Sequence, residues 1–81
     1  MEQEEIKAII ENILLAADQP VSETQFKNLL GGEVEKVSFK SVLEELIEEY
    51  NSRNLQILQV AEGYQLCTRH DYSDWIRKFL K

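Results

Sequence analysis

Two short segments in which apolar and polar residues alternate constrain the fold more than any other feature of this chain. They are LQILQV at 55–60 and GYQLCT at 63–68, and the turn between them falls around Glu62-Gly63. Residues two apart in a strand share a face, so each segment presents a row of apolar side chains on one side. The pattern predicts a β-hairpin with one buried face.

Elsewhere the apolar residues recur at spacings of three and four, which is typical of amphipathic helices. This periodicity predicts four helices. They lie at about residues 3–17, from a cap at Ser22 to Leu30, along 39–50 and along 72–80. The order is therefore helix, helix, helix, hairpin, helix.

The second helix has the clearest start signal. Ser22 and Gln25 form an S-x-x-Q capping box, and Gly31 is a natural left-handed stop. The side chains expected to face inward are Phe26, Leu29 and Leu30. In the linker that follows, Val34 and Val37 are expected to enter the core, and Ser38 is a candidate cap for the third helix.

Three helices followed by a two-stranded wing form the winged-helix arrangement, a variant of helix-turn-helix. We therefore predict an α+β, mainly helical fold: a three-helix core, a hairpin wing and a C-terminal helix. An extended segment near Pro20-Val21 is able to supply a third strand. With 81 residues, the chain is expected to form a single winged-helix domain over 1–81.

Charge and composition exclude several classes of protein. The chain has 9 basic and 15 acidic residues, a net charge of −6, which disfavours binding to nucleic acid or to an anionic membrane surface. No apolar stretch approaches the ~18–20 residues of a membrane span. The acidic start MEQEE is not a signal peptide, and the single cysteine, Cys67, forms no internal disulfide. These features predict a reduced, cytoplasmic setting.

Nothing in the sequence predicts catalysis or a bound metal or cofactor. Cys67 and His70 are the single Cys and the single His, too few soft ligands for a zinc site, and they lack an evident orienting acid. The glutamate pairs at 44–45 and 48–49 are expected to form a solvated helix face. Gly31-Gly32 lacks the lysine and the spacing of a phosphate-binding loop. We predict no catalytic, cofactor-binding or metal-binding residue.

A DNA-binding winged-helix transcriptional regulator is the alternative that this fold raises. Residues 33–50, which include the third helix, carry six acids and two bases, so they would repel phosphates. The wing turn carries Glu62 rather than a basic residue. The basic residues near the C-terminus, Arg69, Arg77, Lys78 and Lys81, suit the end of a helix dipole better than a phosphate site.

The fourth helix carries an unusually apolar stripe. Part of this stripe is expected to cover the core of the domain itself, but Trp and Tyr are also favoured anchors of protein interfaces. On the first helix, Leu15 and Ala16 lie outside the main row of apolar residues that recur at spacings of three and four. The candidate residues for a partner or dimer interface are Tyr72, Trp75, Ile76, Phe79 and Leu15.

An ordered set of segments carries a family resemblance over nearly the whole chain. The segments are KAIIENILL at 7–15, QPVS at 19–22, LLG at 29–31, VLEELIEEY at 42–50, RNLQI at 53–57, VAEGYQL at 60–66 and TR at 68–69. In this order they resemble the first winged-helix domain of the segregation and condensation protein B family. Glu62 and His70 stand where that family often has Gly and Pro.

The resemblance implies a non-enzymatic subunit of a bacterial condensin, the complex built on an SMC ATPase, which acts in chromosome condensation and partition during the cell cycle and cell division. It implies two partners, a second copy of the chain and the kleisin subunit, with DNA reached only through the complex. The expected location is cytoplasmic and nucleoid-associated, with no cofactor and no membrane contact. The family carries two tandem winged-helix domains, and this chain resembles only the first, which is associated with homodimerisation.

Overall fold

The computed structural model describes residues 2–32 and 39–81, and its elements follow the predicted order. They are α1 (Gln3–Ala16), β1 (Val21–Ser22), α2 (Glu23–Leu30), α3 (Phe39–Tyr50), β2 (Leu55–Val60), β3 (Gly63–Thr68), a 3-10 turn (His70–Tyr72) and α4 (Ser73–Leu80). The mainly helical α+β winged-helix fold is confirmed. Both hairpin strands have the predicted bounds, and α1 ends one residue earlier than predicted.

The three strands form an antiparallel sheet in the order β1-β3-β2. In the hairpin, Ile57 lies opposite Leu66 and Val60 opposite Gly63, so β2 and β3 pair along their full lengths. The third strand expected near Pro20-Val21 is present, with Ser22 opposite Gly63. The sheet therefore ties the segment between the first two helices to the wing.

Ser22 begins α2 as the sequence indicates. Its Oγ accepts a hydrogen bond from the Gln25 N–H at 3.1 Å, and its own N–H donates to Gln25 Oε1 at 2.9 Å. This reciprocal pair satisfies two backbone donors that the first turn leaves free. Gly31 follows the helix with a φ of +59°, a conformation that glycine adopts without a steric penalty.

One apolar cluster joins α1, α2, α3 and the wing. The rings of Phe26 and Phe39 lie 5.3 Å apart between centroids and link α2 to α3. The buried members of the cluster are Ile6, Ile10, Leu14, Phe26, Phe39, Val42, Leu43, Leu46, Tyr50 and Ile57. Within the described residues α4 contributes no buried side chain to it.

Two predicted core contributions are wrong. Leu29 was expected to face inward with Phe26 and Leu30, but its side chain is 66% exposed. Leu30, four positions after Phe26, packs partly buried against the cluster, whereas Leu29 lies on the side of α2 that remains exposed. The apolar stripe of α4 was expected to cover part of the core, but Tyr72, Trp75, Phe79 and Leu80 are exposed, Ile76 is half-buried, and none of them belongs to the buried cluster. Val34, Val37 and Ser38 lie outside the described residues.

Glycine is required at position 63, where β1 and β3 pair at close range. A Cβ at this buried position would lie 2.9 Å from the Pro20 Cβ and 3.1 Å from its carbonyl carbon. We expect Gly63→Ala to lower the free energy of unfolding by about 1–3 kcal/mol, because the added carbon forces the two strands apart. Urea unfolding followed by circular dichroism measures this loss.

Gly32→Ala is the matched control, since a Cβ at Gly32 meets nothing within 4 Å. It should leave the free energy of unfolding nearly unchanged. Equal losses in the two variants would contradict the steric argument.

Candidate protein-interaction surfaces

The C-terminal helix presents an apolar face to solvent. Trp75 is 69% exposed and Phe79 is 85% exposed, while Tyr72 and Leu80 are also exposed and Ile76 is half-buried. Large aromatic side chains that lie together on a surface are typical of a contact with another protein. We call this surface, formed by Tyr72, Trp75, Ile76, Phe79 and Leu80, the α4 face.

Basic side chains flank the α4 face. The Lys78 ammonium lies 4.9 Å from the centroid of the Trp75 ring, and Arg77 forms an ion pair with Asp74. With Lys81, these residues border an open depression of about 360 Å³. Three bases against one acid give the end of the chain a positive surface.

Leu15 projects from α1 and is 70% exposed. The structure does not group it with the α4 face. Instead it borders a pocket of about 210 Å³ between α1, the end of α3 and the wing. Leu55 and Leu66 provide the apolar part of this pocket, and Glu11, Asn12 and Tyr50 provide the polar part.

A second surface lies on α1, and it includes Ala16, which the sequence placed off the main apolar stripe of this helix. Its residues line a shallow, largely apolar groove of about 370 Å³, which we call the α1 groove: Ala8, Ile9, Asn12, Ile13 and Ala16. The spacing of three and four along α1 groups Ile9 and Ile13 with Ile6, Ile10 and Leu14, but both are only half-buried. The sequence signal for this face is the pair of small residues Ala8 and Ala16, each one turn from Asn12, which leaves the neighbouring isoleucines partly uncovered.

The acidic face of α3 is tied to α1 by Lys7. The Lys7 Nζ lies 2.8 Å from a Glu45 carboxylate oxygen, also binds Glu49, and lies 3.5 Å from Glu4. Hydrogen bonds to Glu45 and Glu49 raise the pKa of Lys7 above its ordinary value, with a smaller contribution from Glu4. The expected solvated glutamate face is present in Glu44, Glu45 and Glu48, which are exposed, while Glu49 is half-buried. Glu45 and Glu49, one turn apart on α3, also bind Lys7 of α1.

The carboxyl end of α3 is held by two further side chains. The Tyr50 hydroxyl donates a hydrogen bond to Glu11 of α1, and this bond raises the pKa of Tyr50. Arg69, which follows β3, donates to the backbone carbonyls of Tyr50 at 2.6 Å and Leu55 at 3.0 Å. A guanidinium at a helix C-terminus also interacts favourably with the helix dipole. Arg69 therefore fixes the corner between α3 and the wing rather than extending a basic surface.

The described residues contain no grouping suited to metal-assisted or nucleophilic chemistry. No three His, Cys, Asp or Glu side chains among them are placed to hold a metal ion. The Cys67 thiol is half-buried and lies 3.5 Å from the Gln65 carbonyl oxygen, while His70 is exposed. No helix in the described part of the chain is both long and apolar enough to cross a membrane.

The amino-acid sequence of the chain matches the model of a known protein family. The model of "Segregation and condensation complex subunit ScpB" covers residues 8–81. The chain belongs to the ScpB family. The resemblance found in the sequence is thereby confirmed.

Relatives in this family support the assignment. Segregation and condensation protein B of Clostridioides difficile is 34% identical over 83 residues, covering 100% of this chain and 46% of that protein. The Syntrophotalea carbinolica protein is 38% identical over 80 residues, covering 96% of this chain and 40% of that protein. The chain thus spans less than half the length of these curated ScpB relatives.

Solved ScpB structures share the fold. A crystal structure of a dimer of the ScpB N-terminal domain complexed with ScpA peptide matches with a TM-score of 0.78 and 28% identity, covering 94% of this chain and 95% of that chain. The crystal structure of ScpB from Mycobacterium tuberculosis matches with a TM-score of 0.82 and 23% identity, covering 99% of this chain and 50% of that one. The second likeness shows the fold alone.

The raised pKa of Tyr50 makes stability depend on pH in the alkaline range. The protonated phenol donates to Glu11, so this contribution is fully present below the ordinary value of 10.0 and is lost as pH rises through the folded-state pKa. We expect Tyr50→Phe to lower the free energy of unfolding by about 1 kcal/mol at neutral pH. The difference from wild type should shrink above pH 10.0, as urea titrations across this range would measure.

Tyr72→Phe, which removes an exposed hydroxyl, serves as the control and should show no such change with pH. A wild-type advantage over Tyr50→Phe that stays constant across the alkaline range would contradict the role of the Glu11 hydrogen bond.

Proposed function

We propose that this chain is a non-enzymatic subunit of a bacterial SMC–kleisin complex that acts in chromosome condensation and segregation. In this proposal residues 1–81 form one winged-helix domain that contacts a second copy of itself and the kleisin subunit. The contact residues are those expected from the sequence: Tyr72, Trp75, Ile76, Phe79 and Leu15.

One observation carries the proposal. The ScpB N-terminal domain that matches this chain along 95% of its length was crystallised as a dimer with a ScpA peptide. The two chains therefore correspond almost end to end, so the same kind of association is expected here. The α4 face supplies the exposed aromatic surface that such an association requires.

A DNA-reading role is not favoured. The helix that stands in the place of a recognition helix, α3, exposes Glu44 and Glu48, and its other two glutamates bind Lys7. Exposed carboxylates repel the phosphates that supply most of the affinity for DNA. The protein is proposed to act at the nucleoid through the complex, reaching DNA only through its partners. Catalysis is not part of this proposed role.

Phe79→Ser tests self-association. Phe79 is 85% exposed and outside the core, so its loss should leave the circular dichroism unchanged. In a symmetric dimer the substitution alters both copies of the contact, and truncation of an aromatic anchor is costly. We expect the dimer dissociation constant to rise by at least about 100-fold. Sedimentation equilibrium over a wide concentration range measures it.

Leu29→Ser removes a comparably exposed apolar side chain from α2 and should leave the dissociation constant unchanged. A wild-type chain that remains monomeric at every concentration would overturn self-association. Titration with a kleisin peptide then tests the other contact on its own, and a folded chain that binds no such peptide would overturn that part of the proposal.

A further inference from the structure

The outer edge of the wing is an unpaired β-strand. β2 is the last strand in the order β1-β3-β2, and no strand within residues 2–32 and 39–81 pairs with its outer side. In the described chain, the Leu55 carbonyl is the one backbone group of β2 that has a partner outside the ladder with β3, and this partner is the Arg69 side chain. The strand therefore presents free backbone hydrogen-bonding groups, which a further strand can use.

The register of the hairpin shows which of these groups point outward. A two-residue turn separates β2 from β3, and Val60 lies directly opposite Gly63. Residues that flank such a turn exchange both backbone hydrogen bonds, and bonded and non-bonded pairs then alternate along an antiparallel ladder. Leu58 therefore bonds to β3 in the same way as Val60. The N–H and C=O groups of Ile57 and Gln59 point to the free edge.

β2 lacks the features that usually keep an edge strand from pairing with another chain. Natural edge strands are protected by charged residues, by proline, by a bulge or by short length. The strand LQILQV at 55–60 is six residues long, contains no charged residue and no proline, and keeps a continuous register with β3. The opposite edge strand, β1, has only two residues and follows Pro20. Of these two edges, that of β2 is the one suited to strand addition.

The side chains of β2 favour an occupant that is uncharged along the paired stretch. Leu58 is 42% exposed and Val60 is 39% exposed, and they share the sheet face opposite to that of the buried Ile57. A strand added at the edge places its own side chains beside them, where β-branched residues pack well. A charged side chain at these positions would lose water without gaining a partner.

Charged residues at the two ends of β2 favour one direction of the occupant. Arg53 precedes the strand with its side chain 55% exposed, and Glu62 is exposed in the turn that follows the strand. Antiparallel pairing is more stable per residue than parallel pairing. An antiparallel occupant begins beside Glu62 and ends beside Arg53. A basic residue before its paired stretch and an acidic residue after it therefore complement these charges.

We propose that the edge of β2 binds an extended segment of a partner protein by β-strand addition. The segment pairs with the outward groups of Ile57 and Gln59, is rich in β-branched residues, and has a base before the paired stretch and an acid after it. This inference goes beyond the proposed function and does not depend on it, because it uses no residue of the α4 face and not Leu15. The two contacts are therefore tested separately.

The capped peptide KTVTVTVE carries these features and serves as the probe. In the free chain, the amide protons of Ile57 and Gln59 should exchange with solvent faster than that of Leu58, which bonds to β3. Saturating peptide should slow the exchange of the Ile57 and Gln59 amides by at least about 10-fold. Nuclear magnetic resonance measures the exchange of each amide. The same peptide with proline in place of its first two valines should give no protection, because it cannot form a regular strand.

Gln59→Pro tests the contribution of the backbone of β2. Proline is tolerated on an edge strand where the N–H would face solvent, but it removes that donor and places a ring at the edge. We expect the dissociation constant of KTVTVTVE to rise by at least about 10-fold. Gln59→Ala is the matched control, since it removes the side chain and keeps the N–H, and it should leave the dissociation constant nearly unchanged. Circular dichroism checks that both variants are folded.

The peptide ETVTVTVK, with the terminal charges exchanged, tests the direction of the occupant. At low salt it should bind about 3-fold more weakly than KTVTVTVE, and the difference should shrink as salt screens the charges. Equal affinities at low salt would overturn the assigned direction.

Three outcomes would overturn strand addition by a partner. The first is a peptide that protects neither amide at its highest soluble concentration. The second is slow exchange of Ile57 and Gln59 in the free chain, since the edge is then already occupied. The third is protection that grows with the concentration of the chain alone, which would assign the edge to a second copy.

Peptide binding to the Phe79→Ser chain separates this inference from the proposed function. Phe79 lies on the α4 face, so this variant should bind KTVTVTVE as the wild type does. A wild-type chain that fails to self-associate but binds the peptide would overturn self-association and leave strand addition standing.

Discussion

The packing of α1 against α3 is the contact on which the rest of the structure depends. Ile6, Ile10 and Leu14 enter the same cluster as the apolar stripe of α3, and the wing closes it through Ile57. Each such side chain stabilises the fold by about 1.5–3 kcal/mol when fully buried. A surface ion pair contributes about 0–1 kcal/mol, so apolar burial dominates stability. The ion pairs of Lys7 and the Tyr50–Glu11 hydrogen bond add directional polar contacts between the same two helices.

The packing of α1 against α3 also determines which side chains of α1 remain accessible on the surface. Because the stripe at positions 6, 10 and 14 is turned inward, the residues beside it are only half covered, and they line a groove. One face of α1 therefore packs into the core, and the adjacent face presents an apolar surface to solvent. In α4 no side chain is buried, so its exposed aromatic residues can serve a contact without a large cost in stability.

The scaffold combines a winged-helix fold with a third helix that exposes carboxylates, and this combination disfavours contact with DNA phosphates. The fold places α3 where a recognition helix would lie, but a fold does not define a function, and the side chains decide. Glutamates occupy the outward positions of α3, two of them bind Lys7, and the wing turn carries Glu62. Apolar surfaces suited to binding lie on α1 and α4.

The sequence alone determined the local elements. The Ser22 capping box, the alternation along 55–68 and the three-four spacing of α1 and α3 are short-range signals, so the strand bounds and the fold class followed from them. The family resemblance rested on the same residues. Side-chain partners across elements were decided only by the tertiary structure: Lys7 with Glu45 and Glu49, and Arg69 with the carbonyls of Tyr50 and Leu55. The exposure of Leu29 and of α4 was also decided only by the tertiary structure. Periodicity in the sequence identifies an apolar helix face, but it does not show whether another element is close enough to cover that face.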